Sequence, residues 1–99
     1  MKEITFVWDN QKELANKAKH DGIGFDEAKT VFYDEYARLI FDPDHSNDEE
    51  RFIIIGFSNN LRLLVVCHCY RELDSVIRII SARKASAKEE RIYERHRNA

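Results

Sequence analysis

Residues 51–82, RFIIIGFSNNLRLLVVCHCYRELDSVIRIISA, carry the clearest structural pattern in the chain. They hold three runs rich in β-branched and aromatic residues, over 51–58, 61–70 and 76–82. Polar turn residues separate the runs. Asn59-Asn60 tolerates the positive φ of a tight hairpin, and residues 72–75 predict a second turn. Sequential β-runs with short connections predict an antiparallel meander.

The residues before this stretch predict two helices between two strands. Residues 4–8 form a β-rich run, Asp9 is suited to cap a helix over 10–20, and Gly22 is suited to end it. Apolar residues at helical spacing predict a second helix over 26–33, and 37–41 is a candidate strand.

The residues after the meander predict a last helix over 87–96. Ser86 and Glu89 match a capping box at its start. Because its large apolar residues are mainly Ile92 and Tyr93, we expect this helix to be the loosest element or one completed by a partner. The element order β-α-α-β-β-β-β-α predicts an α+β fold, an antiparallel sheet with the two N-terminal helices on one face.

Length and composition favour a single domain over residues 1–99. The formal charge of −2 hides a split. The first fifty residues carry six basic and thirteen acidic residues, and the remainder carry ten and five. The basic half could face RNA, or both charge sets could simply solvate the surface. The sequence shows no signal peptide and no apolar run long enough to cross a membrane, and Cys67 and Cys69 are too close together to cross-link distant segments. We therefore expect a cytoplasmic protein without a membrane partner.

Two segments raise the question of a metal, and neither supports one. In Cys67-His68-Cys69 the imidazole of a strand residue points away from both thiols, so the three cannot share an ion. The acidic loop over 42–50 has Asn47 where a calcium loop needs glycine and Ile53 where it needs the closing glutamate. We expect no metal and no cofactor, and the loop is either solvated or an acidic contact for a basic partner.

Several segments together resemble the BrnT toxins. Residues 6–9 (FVWD) with Lys12, Asn16 and 19–22 (KHDG) are similar to the start of that family, and residues 25–32 (FDEAKTVF) to its next motif. The loop 42–46 (DPDHS), with 50–52 (ERF) and 55–56 (IG), fits its centre. Residues 78–85 (RIISARKA), leading to 89–93 (EERIY), resemble its most recognisable segment. The similarity covers nearly the whole chain, in order.

The resemblance implies a RelE-like fold and a metal-independent endoribonuclease, the toxin of a type II toxin–antitoxin system. Such a toxin cleaves RNA, inhibits translation and arrests growth. The resemblance also implies a BrnA-like ribbon-helix-helix antitoxin, through which the complex would bind operator DNA.

Metal-free RNA cleavage needs proton transfer from the 2′-OH and to the leaving oxygen, together with cations around the phosphate. The basic half offers such groups, and RelE-like enzymes use a similar Arg/Lys-rich sheet face. We expect Arg78 and Arg83 to bind the reacting phosphate. The remaining candidates are His20, His68 and Tyr93 for catalysis and Arg51, Arg62, Lys84 and Lys19 for RNA binding.

Each candidate has a plainer interpretation. Strict alternation puts Arg78 and Arg83 on opposite faces, unless the strand ends or bulges near residue 82. Arg83 could instead pair with an acidic residue at the start of the last helix, Glu89 or Glu90. Arg62 could be a solvated turn residue, His20 a cationic helix cap, and His68 a packed core residue.

Two other functions stay open from the sequence alone. The chain could be a non-catalytic RelE-like binding module that acts only through its antitoxin. A metal-dependent nuclease is a weaker alternative, supported only by the acidic loop.

Overall fold

A computed structural model describes residues 3–99. The elements are β1 (Thr5–Val7), α1 (Asn10–Lys19), α2 (Phe25–Thr30), β2 (Arg38–Asp42), β3 (Arg51–Phe57), β4 (Leu63–Arg71), β5 (Val76–Lys84) and α3 (Ala87–Arg97). A 3-10 turn, Val31–Tyr33, continues α2, and another, Pro43–His45, follows β2. The predicted α+β class and element order are confirmed.

The five strands form one sheet in the order β1-β5-β4-β3-β2. Strands β2 to β5 make the predicted antiparallel meander. The sheet is nevertheless mixed, because β1 pairs parallel to β5, with Thr5 opposite Val76. The two strands are far apart in the sequence, so no hairpin dictates their relative direction, and only three register pairs join them.

Local chemistry sets the ends of α1 and the start of β4. The Asp9 carboxylate accepts hydrogen bonds from the backbone N–H groups of Gln11 (2.8 Å) and Lys12 (3.2 Å), which starts α1. Asp21 and Gly22 have φ of 53° and 71° and stop the helix. In the β3–β4 hairpin the positive φ (61°) falls on Leu61 instead of an asparagine, so β4 begins two residues later than predicted.

The sheet has two faces with different covers. The face that we call the helical face packs against α1 and α2, as predicted, and holds the larger core. Its buried residues are Ile23, Phe25, Ala28, Val31, Ile54, Leu64, Val66, Ile79 and Ala82. On the opposite face, called the open face, α3 packs on Ile55 and Val65 through Tyr93.

A buried tyrosine anchors α3 to the sheet. Tyr93 is 1% exposed, and its hydroxyl donates a hydrogen bond to Asp34 Oδ2 at 2.7 Å. The Ser86–Glu89 capping box predicted from the sequence fixes the start of the helix. The scarcity of apolar residues in α3 therefore does not leave it detached from the sheet.

A β-bulge in β5 changes which side chains share a face. Cys67 lies opposite Ser81 and His68 lies opposite Ile79, so Ile80 is an extra residue. The bulge shifts the alternation by one residue. Arg78, opposite Cys69, and Arg83, opposite Val65, consequently both lie on the open face.

Candidate active site

A cleft of about 400 Å³ opens on the open face, a volume within the usual range for ligand clefts. Strands β3, β4 and β5 form its floor, His20, the residue after α1, contributes to its wall, and the β2–β3 loop closes one side. We call it the open-face cleft. Its apolar and small residues are Ile53, Val65, Cys67, Ile80 and Ser81, and its polar and charged residues are His20, Asp42, His45, Arg51 and Arg83.

Two imidazoles belong to the cleft, that of His45, held by a side-chain contact, and that of His20, placed by its backbone. His45 Nδ1 lies 2.8 Å from Asp42 Oδ2. A carboxylate only accepts hydrogen bonds, so Nδ1 donates and Nε2 is left for a ligand. His20 ends α1, where its backbone N–H donates to the Asn16 carbonyl at 2.8 Å.

Asn16 ties α1 to β5 beside the cleft. Its side-chain amide donates to the carbonyls of Ile23 (2.9 Å) and Ala82 (2.8 Å) and accepts from the Ala82 N–H (2.9 Å). Both backbone groups of Ala82, between Ser81 and Arg83, are thereby occupied. This buried clamp fixes β5 just beyond its bulge and holds the helix end that carries His20.

Two guanidiniums line the cleft, and each has a carboxylate nearby. Arg83 binds Glu89 through two parallel hydrogen bonds of 2.7 and 2.8 Å, yet its side chain is still 45% exposed. Arg51 lies 3.7 Å from Glu49. The alternative interpretation of Arg83 as a partner of Glu89 is thus realised, and the same side chain lines the cleft.

Other predicted cations flank the cleft. Lys19 lines a smaller hollow that shares His20, Ile80 and Ser81 with it. Arg78 lies on the open face next to the cleft and forms no ion pair within residues 3–99. Positive side chains therefore extend from the cleft along β5 and α1.

Three predicted residues are not brought to the cleft. Arg62 pairs with Glu27 of α2, donating through Nε at 2.9 Å and through a second, shorter contact. Lys84 lies opposite Leu64, which places it on the helical face, 3.8 Å from Asp21. His68 is fully buried on that face, with its ring edge-on to Phe32 at 4.7 Å.

Tyr93 does not line the cleft either, although it packs on Val65, which does. It lies beneath α3, where burial and the hydrogen bond to Asp34 raise the pKa of its hydroxyl to about 12. Burial lowers the pKa of His68 to about 4 and so keeps that imidazole neutral. Burial raises the pKa of the Cys67 thiol on the cleft floor, which disfavours a thiolate there.

The residue list drawn from the sequence omitted His45 and Asp42. The signal was available, because a histidine three residues after an aspartate in a short turn brings the two side chains together. From the sequence, the acidic loop is interpreted as solvated or as a partner contact, and neither interpretation gives His45 a catalytic role. Within residues 3–99, no cluster of three or more His, Cys, Asp or Glu side chains is arranged to hold a metal ion.

This chain is similar to known proteins in both sequence and fold. The family model for the ribonuclease toxin BrnT of type II toxin–antitoxin systems matches residues 8–89. The crystal structure of the Brucella abortus ribonuclease toxin BrnT is similar at a TM-score of 0.62 and 27% identity, over 84% of this chain and 97% of that one. Among curated proteins, no sequence matches this chain. No helix within residues 3–99 has both the length and the apolar character needed to cross a membrane. The chain belongs to the BrnT family of ribonuclease toxins of type II toxin–antitoxin systems.

Proposed function

We propose that this chain is a metal-independent endoribonuclease that cuts RNA in the open-face cleft and thereby inhibits translation and growth. The observation that carries the proposal is that two imidazoles (His20 and His45) and two guanidiniums (Arg51 and Arg83) line one cleft. Family membership supplies the reaction class, and the cleft supplies groups that can perform it without a bound metal.

Proton transfer falls to the two imidazoles. One accepts the proton of the 2′-OH while O2′ attacks the neighbouring phosphorus, and the other donates a proton to the departing 5′-oxygen. The products are a 2′,3′-cyclic phosphate and a free 5′-OH. His45 is the stronger candidate for the base, since the Asp42 carboxylate orients its ring and stabilises the imidazolium that forms.

Charge stabilisation falls to Arg51 and Arg83. The pentavalent phosphate carries more negative charge than the substrate, so cations that are already in place lower the barrier without reorganising. Glu89 fixes the plane of the Arg83 guanidinium before RNA arrives. Arg78 and Lys19, beside the cleft, would hold the flanking phosphates of the RNA strand.

The partner proposed for this domain is a BrnA-like ribbon-helix-helix antitoxin, through which the complex would bind operator DNA. Membership of a type II toxin–antitoxin family supports a protein antitoxin. We place the activity in the cytoplasm, because the RNA substrate is there and both cysteines are free thiols.

The test is cleavage of a single-stranded RNA by the purified chain, with and without EDTA. A matched strand with 2′-deoxy nucleotides serves as control, since it lacks the attacking oxygen. We expect RNA cleavage that EDTA leaves unchanged, cyclic phosphate ends, and an intact control strand. Loss of cleavage in EDTA would overturn metal independence. Intact RNA with a folded protein would favour the non-catalytic binding module.

A further inference from the structure

An exposed apolar strip lies along the outer edge of the sheet. β2 is an edge strand that pairs only with β3 within the described chain. Leu39 and Phe41 project from β2 on the helical face, yet each is 46% exposed. The helices α1 and α2 pack mainly against β5 and leave this end of the face uncovered.

The strip continues inward as an aromatic surface. Phe41 lies edge-on to Phe52 at 5.5 Å, and Phe52 lies edge-on to Tyr70 at 5.3 Å. A groove of about 470 Å³ runs over Leu39, Phe52 and Tyr70. We call this surface, made of Leu39, Phe41, Phe52 and Tyr70, the edge groove. Apolar side chains exposed together on a small protein commonly mark a binding surface.

Carboxylates rim the edge groove. Glu49, Glu50 and Asp74 line it. The guanidinium of Arg71 lies 2.9 Å from Glu49 Oε2 and partly neutralises that carboxylate. Glu50 and Asp74 form no ion pair within residues 3–99. An apolar floor with an acidic rim is complementary to a segment that carries both apolar and Lys or Arg side chains.

The backbone of β2 adds a second kind of complementarity. The side of an edge strand that faces away from its sheet presents unpaired N–H and C=O groups, which can accept another strand. Alternate side chains of an added strand would lie beside Leu39 and Phe41 on the same face of the sheet. β2 also ends at Asp42, the residue that holds His45, so an occupant of this edge reaches the loop of the open-face cleft.

We propose that the edge groove docks an extended segment of the antitoxin, with apolar residues on one side and Lys or Arg at its margins. The inference rests on the proposed function for the identity of the partner, but not for the location of the surface. The antitoxin thereby binds on the helical face and reaches the cleft only from its rim.

The test uses the antitoxin proposed above, purified and titrated calorimetrically against three forms of the toxin: wild type, Leu39→Lys with Phe41→Lys, and Leu14→Lys. Leu14 is an exposed leucine of α1, which packs against β5 with β4 and β3 between that strand and β2, and it gives a matched control. We expect the double variant to bind at least tenfold more weakly, and Leu14→Lys to bind like wild type. Hydrogen exchange should show protection of residues 38–42 in the complex.

Equal affinity for the double variant, or protection confined to the open face, would overturn the proposal. Dimerisation of the toxin alone that the double substitution abolishes would assign the groove to a second copy of this chain and also overturn it. RNA cleavage by the free double variant is measured in parallel. Cleavage by this variant at the wild-type rate shows that weakened binding is not misfolding. Absence of cleavage in the wild type counts against the proposed function and leaves the binding result to be judged separately.

Discussion

Arg83 of the open-face cleft is bound in a bidentate pair by Glu89, the same residue that caps the start of α3. Glu89 Oε1 accepts from the Ser86 N–H at 2.8 Å as well as from Arg83. The guanidinium lowers the pKa of the Glu89 carboxyl from its ordinary value near 4.5 to about 2. One carboxylate thus links the anchoring of a helix to the placement of a cleft cation.

Glu89→Gln tests this link. The variant loses the charged pair and keeps a side chain able to cap the helix, so we expect a stability loss of about 1 kcal/mol at pH 7, a value discounted for solvent exposure. The glutamine amide oxygen can still accept a hydrogen bond from Arg83 and keep the guanidinium in place, while the negative charge that competes with phosphate is gone, so RNA binding should also tighten severalfold. Unfolding melts measure the stability and a titration measures RNA binding. Weaker RNA binding by the variant would show that the Glu89 charge does not compete with RNA for Arg83.

The same pair has a signature in acid. Because Glu89 has a lower pKa folded than unfolded, its contribution to stability is present above pH 4.5 and is lost as the pH falls toward 2. The stability difference between wild type and Glu89→Gln should therefore shrink over that window. A difference that stays constant from pH 5 to pH 2 would show that the pairing does not depend on the Glu89 charge.

His45→Ala tests the unforeseen member of the cleft. Losing a positioned general acid or base costs on the order of 10²–10⁴-fold in rate, so we expect RNA cleavage to fall by about 100-fold or more. His96, an exposed residue near the end of α3, gives the matched control His96→Ala. Initial rates on one RNA substrate are compared at equal folded concentration. Equal rates for the two variants would remove His45 from the reaction.

His68→Gln separates a core histidine from a catalytic one. Because His68 lies on the helical face, we expect the variant to retain cleavage within about twofold of wild type, and a hundredfold loss would restore the catalytic assignment. In the wild type, the pKa of His68 is about 4 in the folded state and near 6.5 in the unfolded state, so the unfolded state takes up the proton first as pH falls. Stability should fall between pH 6.5 and 4 by up to about 1.4 kcal/mol per pH unit, and less in the variant.

The sequence predicts the elements well because hydrophobic periodicity, caps and turn residues are local signals. The placement of the arginines depends on the β5 bulge at Ile80, and nothing in RIISARK marks where an extra residue enters the ladder. The partners of Arg62 and Lys84 lie on α2 and the α1 end, far away in sequence. Their removal from the cleft is therefore a tertiary outcome. His45 differs, since its local spacing from Asp42 carried a readable signal.

The most direct test of the open-face cleft compares Arg83→Gln with Arg62→Gln. Both arginines are paired with a glutamate, but Arg83 lines the cleft and Arg62 lies on the other side of the sheet. With both variants shown to be folded, we expect RNA cleavage to drop by about 100-fold for Arg83→Gln and to change only severalfold for Arg62→Gln. A loss for Arg62→Gln as large as or larger than that for Arg83→Gln would contradict the location of the active site.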